Sequence, residues 1–204
     1  MPATPRIEAA AERSQLVRDA LQMAHQAHAG QIRNGSGGMA YVDHPRAVAE
    51  LLAAEGYPDE VLAAALLHDV VEDSEMTVEV LRKVFGSEVA GIVAALSDDE
   101  SIDPYRDRKD EHRERVQAAG GDALAIYGAD KLNNLGNLHR AHAVDESAVE
   151  GEFNVPIDLK LDVWADDLAM LRDEAPELPF LDALEAELNA LRAERGARSP
   201  QPGA

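Results

Sequence analysis

Apolar residues recur along this chain at intervals of three and four almost from end to end. Val17, Leu21, Ala24 and His28 share one face of a helix predicted over 7–29, which Gly30 stops. Asn34 to Gly38 reads as a loop. His44-Pro45 opens the next helix, because proline suits a first turn; it runs to about Glu55. Pro58-Asp59-Glu60 starts a third, with its acidic residues at the positive end. Thr77 begins a short helix that Gly86 closes, and Ser87 can cap another reaching about Leu96. Asp103-Pro104 begins a highly charged helix that ends at Gly120-Gly121. The stretch from Asp122 to about Arg140 is helical again, with Leu124, Ile126, Tyr127, Leu135 and Leu138 facing the core. Ala141 to Val155 is polar and without period, and is expected to be a loop or frayed turn. Ile157, Leu161, Trp164, Leu168 and Leu171 form a further stripe, and Leu181, Leu184, Leu188 and Leu191 the last. No stretch alternates with the period of a strand. The expected fold is therefore all-α, a single helical domain of about eight or nine helices over 7–194, followed by a disordered tail at 195–204 rich in Gly, Pro and Ser.

Composition narrows the functional classes. Aromatics are 4% of 204 residues, so the core must be aliphatic. Acidic residues outnumber basic ones 39 to 19, a net charge of -20, which argues against nucleic acid or an anionic membrane as partner. The absence of cysteine removes disulfides, thiolate metal sites and cysteine nucleophiles. The first residues lack a signal-peptide shape, and the apolar run Val61 to Leu67 is far short of the roughly 20 residues a membrane span needs. A cytoplasmic protein is expected.

The chemistry gathers around that apolar run. It leads directly into His68-Asp69, and a buried ionised carboxylate costs several kcal/mol unless something compensates it. A salt-bridged or capping pair at a helix end would do so. A divalent cation would do so as well, since imidazole nitrogen and carboxylate oxygen both suit Mn, Fe or Zn. If the helix continues, Glu72 lies one turn beyond His68 and Asp73 one turn beyond Asp69, placing all four on one face. His44 sits at a helix start, Asp130 lies on a mostly apolar face, and Asn134 is one turn further on. Two histidines and two aspartates from three helices make a four-ligand site with open positions, as in catalytic metal sites. His25, His139 and His142 are expected at the surface, and His28 is expected to brace the loop leading to Arg33. The helix from Asp103 is the least acidic region, with five basic and five acidic residues by Arg115; it either borders the pocket or is simply solvated.

In their order, His44, His68-Asp69 and Asp130 resemble the HD superfamily of metal-dependent phosphohydrolases. Residues 27–33, 41–45, 64–74, Phe85-Gly86 and 129–135 resemble more closely the hydrolase domain of Rel/Spo proteins and the small alarmone hydrolases. The resemblance implies a metal, usually Mn²⁺, held by His44, His68, Asp69 and Asp130. It implies that Glu72 and Asp73 orient or deprotonate the attacking water, and that Arg33, Lys131 and Asn134 line the nucleotide pocket. The implied reaction is removal of the 3′-diphosphate of guanosine tetra- or pentaphosphate as pyrophosphate. Asn34, Gly136 and Leu161 stand where the family usually carries two basic residues and an aromatic, and Asn133 and Ala40 also depart from it. Hydrolysis of a different phosphorylated nucleotide, or a silent nucleotide-binding sensor, therefore stand as alternatives.

Overall fold

The computed structural model describes residues 5–33, 38–144, 151 and 154–198. Among them are nine helices: α1 (Arg6–Arg13), α2 (Gln15–Ala27), α3 (Asp43–Ala54), α4 (Asp59–Leu67), α5 (Val78–Leu96), α6 (Tyr105–Ala119), α7 (Gly121–Val144), α8 (Ile157–Glu174) and α9 (Leu181–Arg198). The described residues contain no strand; an isolated bridge joins Ile32 and Ala40. None of the described helices is long and apolar enough to cross a membrane.

At the centre stands α4. Every residue from Val61 to Leu67 is buried, so the helix is apolar all round and must be covered on every side. It lies against α2, α3 and α5. Around it α7 runs past α3, α5, α6, α8 and α9, about 36 Å at 1.5 Å per residue over its 24 residues. Gly128 of α7 lets the Phe180 ring come close: a Cβ there would stand 2.7 Å from Phe180 Cε2. The Leu181 stripe docks on α7 and α8 within the chain.

Three boundaries differ from the periodic reading. The helix expected over 7–29 breaks at Ser14, whose backbone is extended (φ -120, ψ 122). The break lets α1 fold back and bury Ile7, while Glu50 of α3 accepts from the first amides of α1, Arg6 N at 2.9 Å and Ile7 N at 2.8 Å. The helix of 122–140 extends to Val144, because His142 is buried beneath α9 with Arg195 Nη1 at 3.3 Å from its Nε2; of the expected loop, 145–150 and 152–153 lie outside the described residues. The expected tail starts four residues too early. α9 continues to Arg198, with Arg195 Nε donating to Asp158 at 3.0 Å, and 199–204 lie outside the described residues. The two helices expected to meet at Gly86 do so across a kink in α5, where Gly86 has φ 88.

His139 also departs from a bare surface position. Its Nδ1 meets Glu187 at 2.6 Å and its Nε2 meets Glu194 at 3.1 Å, tying α7 to α9. These two hydrogen bonds raise the imidazole above its ordinary 6.5. The stabilisation is complete below the unfolded value and is lost as pH rises through the raised one. The midpoint of thermal unfolding is expected to fall more between about pH 6 and about pH 9 for the natural chain than for His139→Gln. Equal falls in a melting series would show that the bridge adds nothing.

Candidate active site

The central helix ends at Leu67, and the following turn delivers His68 and Asp69 to the interior. The chain does not continue as regular helix. A single turn closes instead, Glu72 N and Asp73 N both donating to Asp69 O, at 3.2 and 3.0 Å. From the first turn of α3 comes His44, and from the middle of α7 comes Asp130. One ligand atom from each of His44, His68 and Asp130 lies within 4.8 Å of the others. His44 Nε2 stands 3.1 Å from Asp130 Oδ1 and 3.2 Å from His68 Nε2, and His68 Nε2 stands 3.7 Å from Asp130 Oδ1. Asp69 adjoins them, one oxygen 3.1 Å from His68 Nε2 and the other 3.5 Å from His44 Nε2.

The imidazoles are fixed from behind. His68 Nδ1 donates to the carbonyl of Ala65 at 2.8 Å. His44 Nδ1 donates to Asn133 Oδ1 at 2.8 Å, and that oxygen accepts as well from Asn137 Nδ2 at 3.0 Å. With each Nδ1 turned to an acceptor behind it, the two Nε2 atoms face one another and the carboxylate oxygens. Such a set needs positive charge between its members. Ligand atoms about 2.1 Å from one ion stand about 3.0–3.4 Å apart, close to the spacings here, so the residues fit a divalent metal. The electrostatics agree. Burial alone would lower His68, yet Asp69 and then Asp130 lift it to about 9. Burial alone would raise Asp130, yet Lys131, His44 and His68 hold it well below the usual carboxylate value. Lys131 Nζ donates to the outer Asp130 oxygen at 2.9 Å and lies 4.1 Å from the centre of the Tyr127 ring.

A cavity of about 140 Å³ adjoins the cluster, and its walls include Glu72, Asp98, Lys109, His112 and Tyr127. It shares Arg33, Tyr41, Glu72, Asp98, Lys109, Lys131 and Asn134 with an outer cavity of about 440 Å³, within the usual range for a ligand pocket. The outer cavity adds Tyr105, Arg108, Lys160, Trp164 and Asp167. Five basic and four acidic side chains line it, the reverse of the whole chain's 19 to 39. The outer cavity is thus far less acidic than the chain as a whole, which lowers the barrier to an entering polyanion. The charged helix α6 borders the pocket through Tyr105, Arg108 and Lys109.

Glu72 faces both cavities, and its Oε1 accepts from Asp98 N at 2.7 Å. The residue is open to solvent on the cavity side, and desolvation by the cavity walls, and then Asp69, raise its carboxyl. Asp73 is not among the residues lining these two cavities. It lies by a separate pocket with Gln31, Ile32, Arg33 and Tyr41, so the expected shared face of four residues splits where the helix ends. Burial raises the Asp73 carboxyl, which lies within reach of the Tyr41 hydroxyl. That hydroxyl donates to Asp69 Oδ2 at 3.0 Å. Arg33 Nη2 donates to Asn134 Oδ1, and Asn134 Nδ2 donates to Asp130 Oδ1 at 2.7 Å, joining the expected pocket residues to the cluster.

His28 is buried, stacks on Tyr41 at 4.7 Å and meets Gln31 Oε1 at 2.8 Å, bracing the loop before Arg33; His25 is exposed. Leu161 is core, and Trp164 with Tyr105 supplies the aromatic surface instead. Asn34 lies outside the described residues. At Gly136 a Cβ would stand 3.4 Å from Arg140 Nη1. Sequence reasoning gave no role to Asn133, Tyr41, Asp98 and Lys160. Asn133 and Tyr41 sat within recognised motifs, but a lone Asp after a helix end, or a lone Lys on a helix, carries no such signal.

The chain is similar to several known proteins. A family model described as an HD domain matches residues 20–154. The guanosine-3′,5′-bis(diphosphate) 3′-pyrophosphohydrolase MESH1 of Danio rerio is 39% identical over 124 residues, 60% of this chain and 68% of that protein. The Homo sapiens MESH1 is 37% identical over 131 residues, 63% of this chain and 72% of that protein. The bifunctional (p)ppGpp synthase/hydrolase SpoT of Escherichia coli K12 is 37% identical over 128 residues, 60% of this chain and 18% of that protein. A solved structure of a metazoan ortholog of SpoT that hydrolyzes ppGpp superposes with a TM-score of 0.69 at 30% identity, covering 90% of this chain and 97% of that one.

Proposed function

This chain belongs to the HD-domain family, and on that premise we propose that it is a metal-dependent pyrophosphohydrolase converting guanosine 3′,5′-bis(diphosphate) to GDP and pyrophosphate. The observation that carries this reading is the pair of imidazole Nε2 atoms 3.2 Å apart beside the Asp130 carboxylate, a donor set that calls for a cation. In this reading His44, His68, Asp69 and Asp130 hold the metal, and Mn²⁺ suits their nitrogen and oxygen donors. When bound, such an ion lowers the pKa of water and neutralises phosphate charge.

The chain's own groups do the rest. Glu72, facing the inner cavity, takes the proton of the attacking water; its surroundings raise its carboxyl above the ordinary value, toward the range in which a base works best. The Asp98 amide fixes one Glu72 oxygen and leaves the other to the water. Asp73 acts through Tyr41, which steadies Asp69. Lys131 and Arg33 meet phosphate oxygens through charge-assisted bonds, and Asn134 holds Arg33 against the cluster. The pyrophosphate leaves as a polyanion, so catalysis rests on positioning and charge rather than on a covalent nucleophile.

The test is pyrophosphate and phosphate release by the purified protein with Mn²⁺, across the tetra- and pentaphosphates of guanosine and the common nucleotides. Release of pyrophosphate from the guanosine 3′-diphosphates is the expected result. Turnover confined to another nucleotide, or tight binding without turnover, would overturn it.

A further inference from the structure

Beyond the metal cluster, basic side chains from two helices converge on one aromatic ring. Tyr105 opens α6 and lines the outer cavity. Arg108 Cζ stands 5.5 Å from its ring centre, Lys109 Nζ 5.6 Å and Lys160 Nζ 5.5 Å. The first two come from α6 and the third from α8. A single oxygen, Asp98 Oδ2, serves Lys109 at 2.6 Å and Arg108 at 3.2 Å. After burial, the largest influences on Lys160 are positive, from Lys109, Lys131 and Arg108. Asp98 offsets part of this positive charge, and a multiply charged anion would be attracted by the cations that converge on the ring.

Position along the pocket says which anion. Lys109 and Lys131 line both cavities, whereas Arg108 and Lys160 line the outer one alone. A nucleotide whose 3′-diphosphate reaches the inner cavity leaves its 5′-phosphates outside. We propose that Lys160, with Arg108 and Lys109 around Tyr105, forms a second phosphate subsite that reads the uncleaved 5′-diphosphate. The subsite makes Lys160 a specificity-determining residue and supplies cations from α6 and α8 in a chain that lacks them at Asn34 and Gly136. The identity of the arm as 5′ rests on the proposed function; the anion subsite itself rests on the charges.

The test separates the two. Titration calorimetry of the full chain without added metal would use GDP and guanosine as probes. Lys160→Gln is expected to weaken GDP about tenfold relative to guanosine, the loss of one charge-assisted bond, and Lys160→Arg to restore most of it. In turnover with Mn²⁺, the kcat/KM ratio between guanosine 3′-diphosphates bearing a 5′-diphosphate and a 5′-hydroxyl is expected to drop by a similar factor in Lys160→Gln. GDP binding equally well to both proteins overturns the subsite. An unchanged ratio in an active enzyme overturns its 5′ assignment. Absence of turnover on either compound defeats the proposed function, while the GDP titration still decides the subsite.

Discussion

Asp130→Ala is expected to leave the protein without a retained divalent metal, to abolish pyrophosphate release, and to lower folding stability by about 3–5 kcal/mol. The first two losses follow from geometry, because Asp130 Oδ1 is the oxygen within 3.1 and 3.7 Å of the two Nε2 atoms. The third follows from its neighbour. Lys131 is buried, and burial disfavours its charge, yet the Asp130 carboxylate 2.9 Å away keeps it protonated well above its ordinary value. Removing the carboxylate strands a buried ammonium. Asp69→Ala separates these effects. It takes away a neighbour of both imidazoles but leaves the Asp130–Lys131 pair intact, so metal and turnover go while stability falls less. Elemental analysis after dialysis and urea unfolding of the three proteins read both quantities. Full metal loading of Asp130→Ala, or a stability loss no larger than that of Asp69→Ala, would contradict this account.

Glu72→Gln is expected to keep the metal and the fold and to reduce turnover by about 10²–10⁴-fold, the usual contribution of a general base. Glutamine preserves the shape and an oxygen to accept the Asp98 amide, but it cannot take a proton. The pH dependence carries the sign. Desolvation and Asp69 raise the carboxyl to about 8 in the metal-free protein, so the base form grows as pH rises toward that value, and a bound positive ion would bring the value back down. Activity of the natural enzyme should climb with pH on its acid limb, and the residual activity of Glu72→Gln should lack that limb. A variant that keeps more than about a tenth of the turnover, or that loses its metal, would remove Glu72 from the role of base.

Much of this was written in the order of residues. The 3-4 spacing of apolar positions marked most of the helices, because a helix that buries one face must repeat that way. His44, His68, Asp69 and Asp130 stood out because polar residues at the edge of apolar segments need a compensating partner. The break at Ser14 was hidden, since apolar spacing is the same in one long helix and in two that fold back. The end of α4 at Leu67 was hidden for a related reason: the turn holding Glu72 and Asp73 keeps helical hydrogen bonds to Asp69 O for one step and then stops. His142 looked like a surface residue because the helix that buries it lies some 50 positions later, and Arg195 reaches it across 53. The ring of cations around Tyr105 is likewise a tertiary fact, joining residues 105, 108, 109 and 160, which no local window contains.

The apolar rod at the centre of the molecule has one more effect. Its peptide dipoles add along the axis, and the negative pole falls at the carbonyl end, where Ala65 O already grips His68. A cation seated beyond that pole is attracted by the backbone itself, before any side chain is counted. Because Glu72 hangs from the very next turn, the proposed proton acceptor and two of the proposed ion ligands, His68 and Asp69, are carried by one short stretch of chain. Whatever shifts the end of that rod moves both together, so a displacement of this helix end would change the hold on the ion and the reach of the base at once.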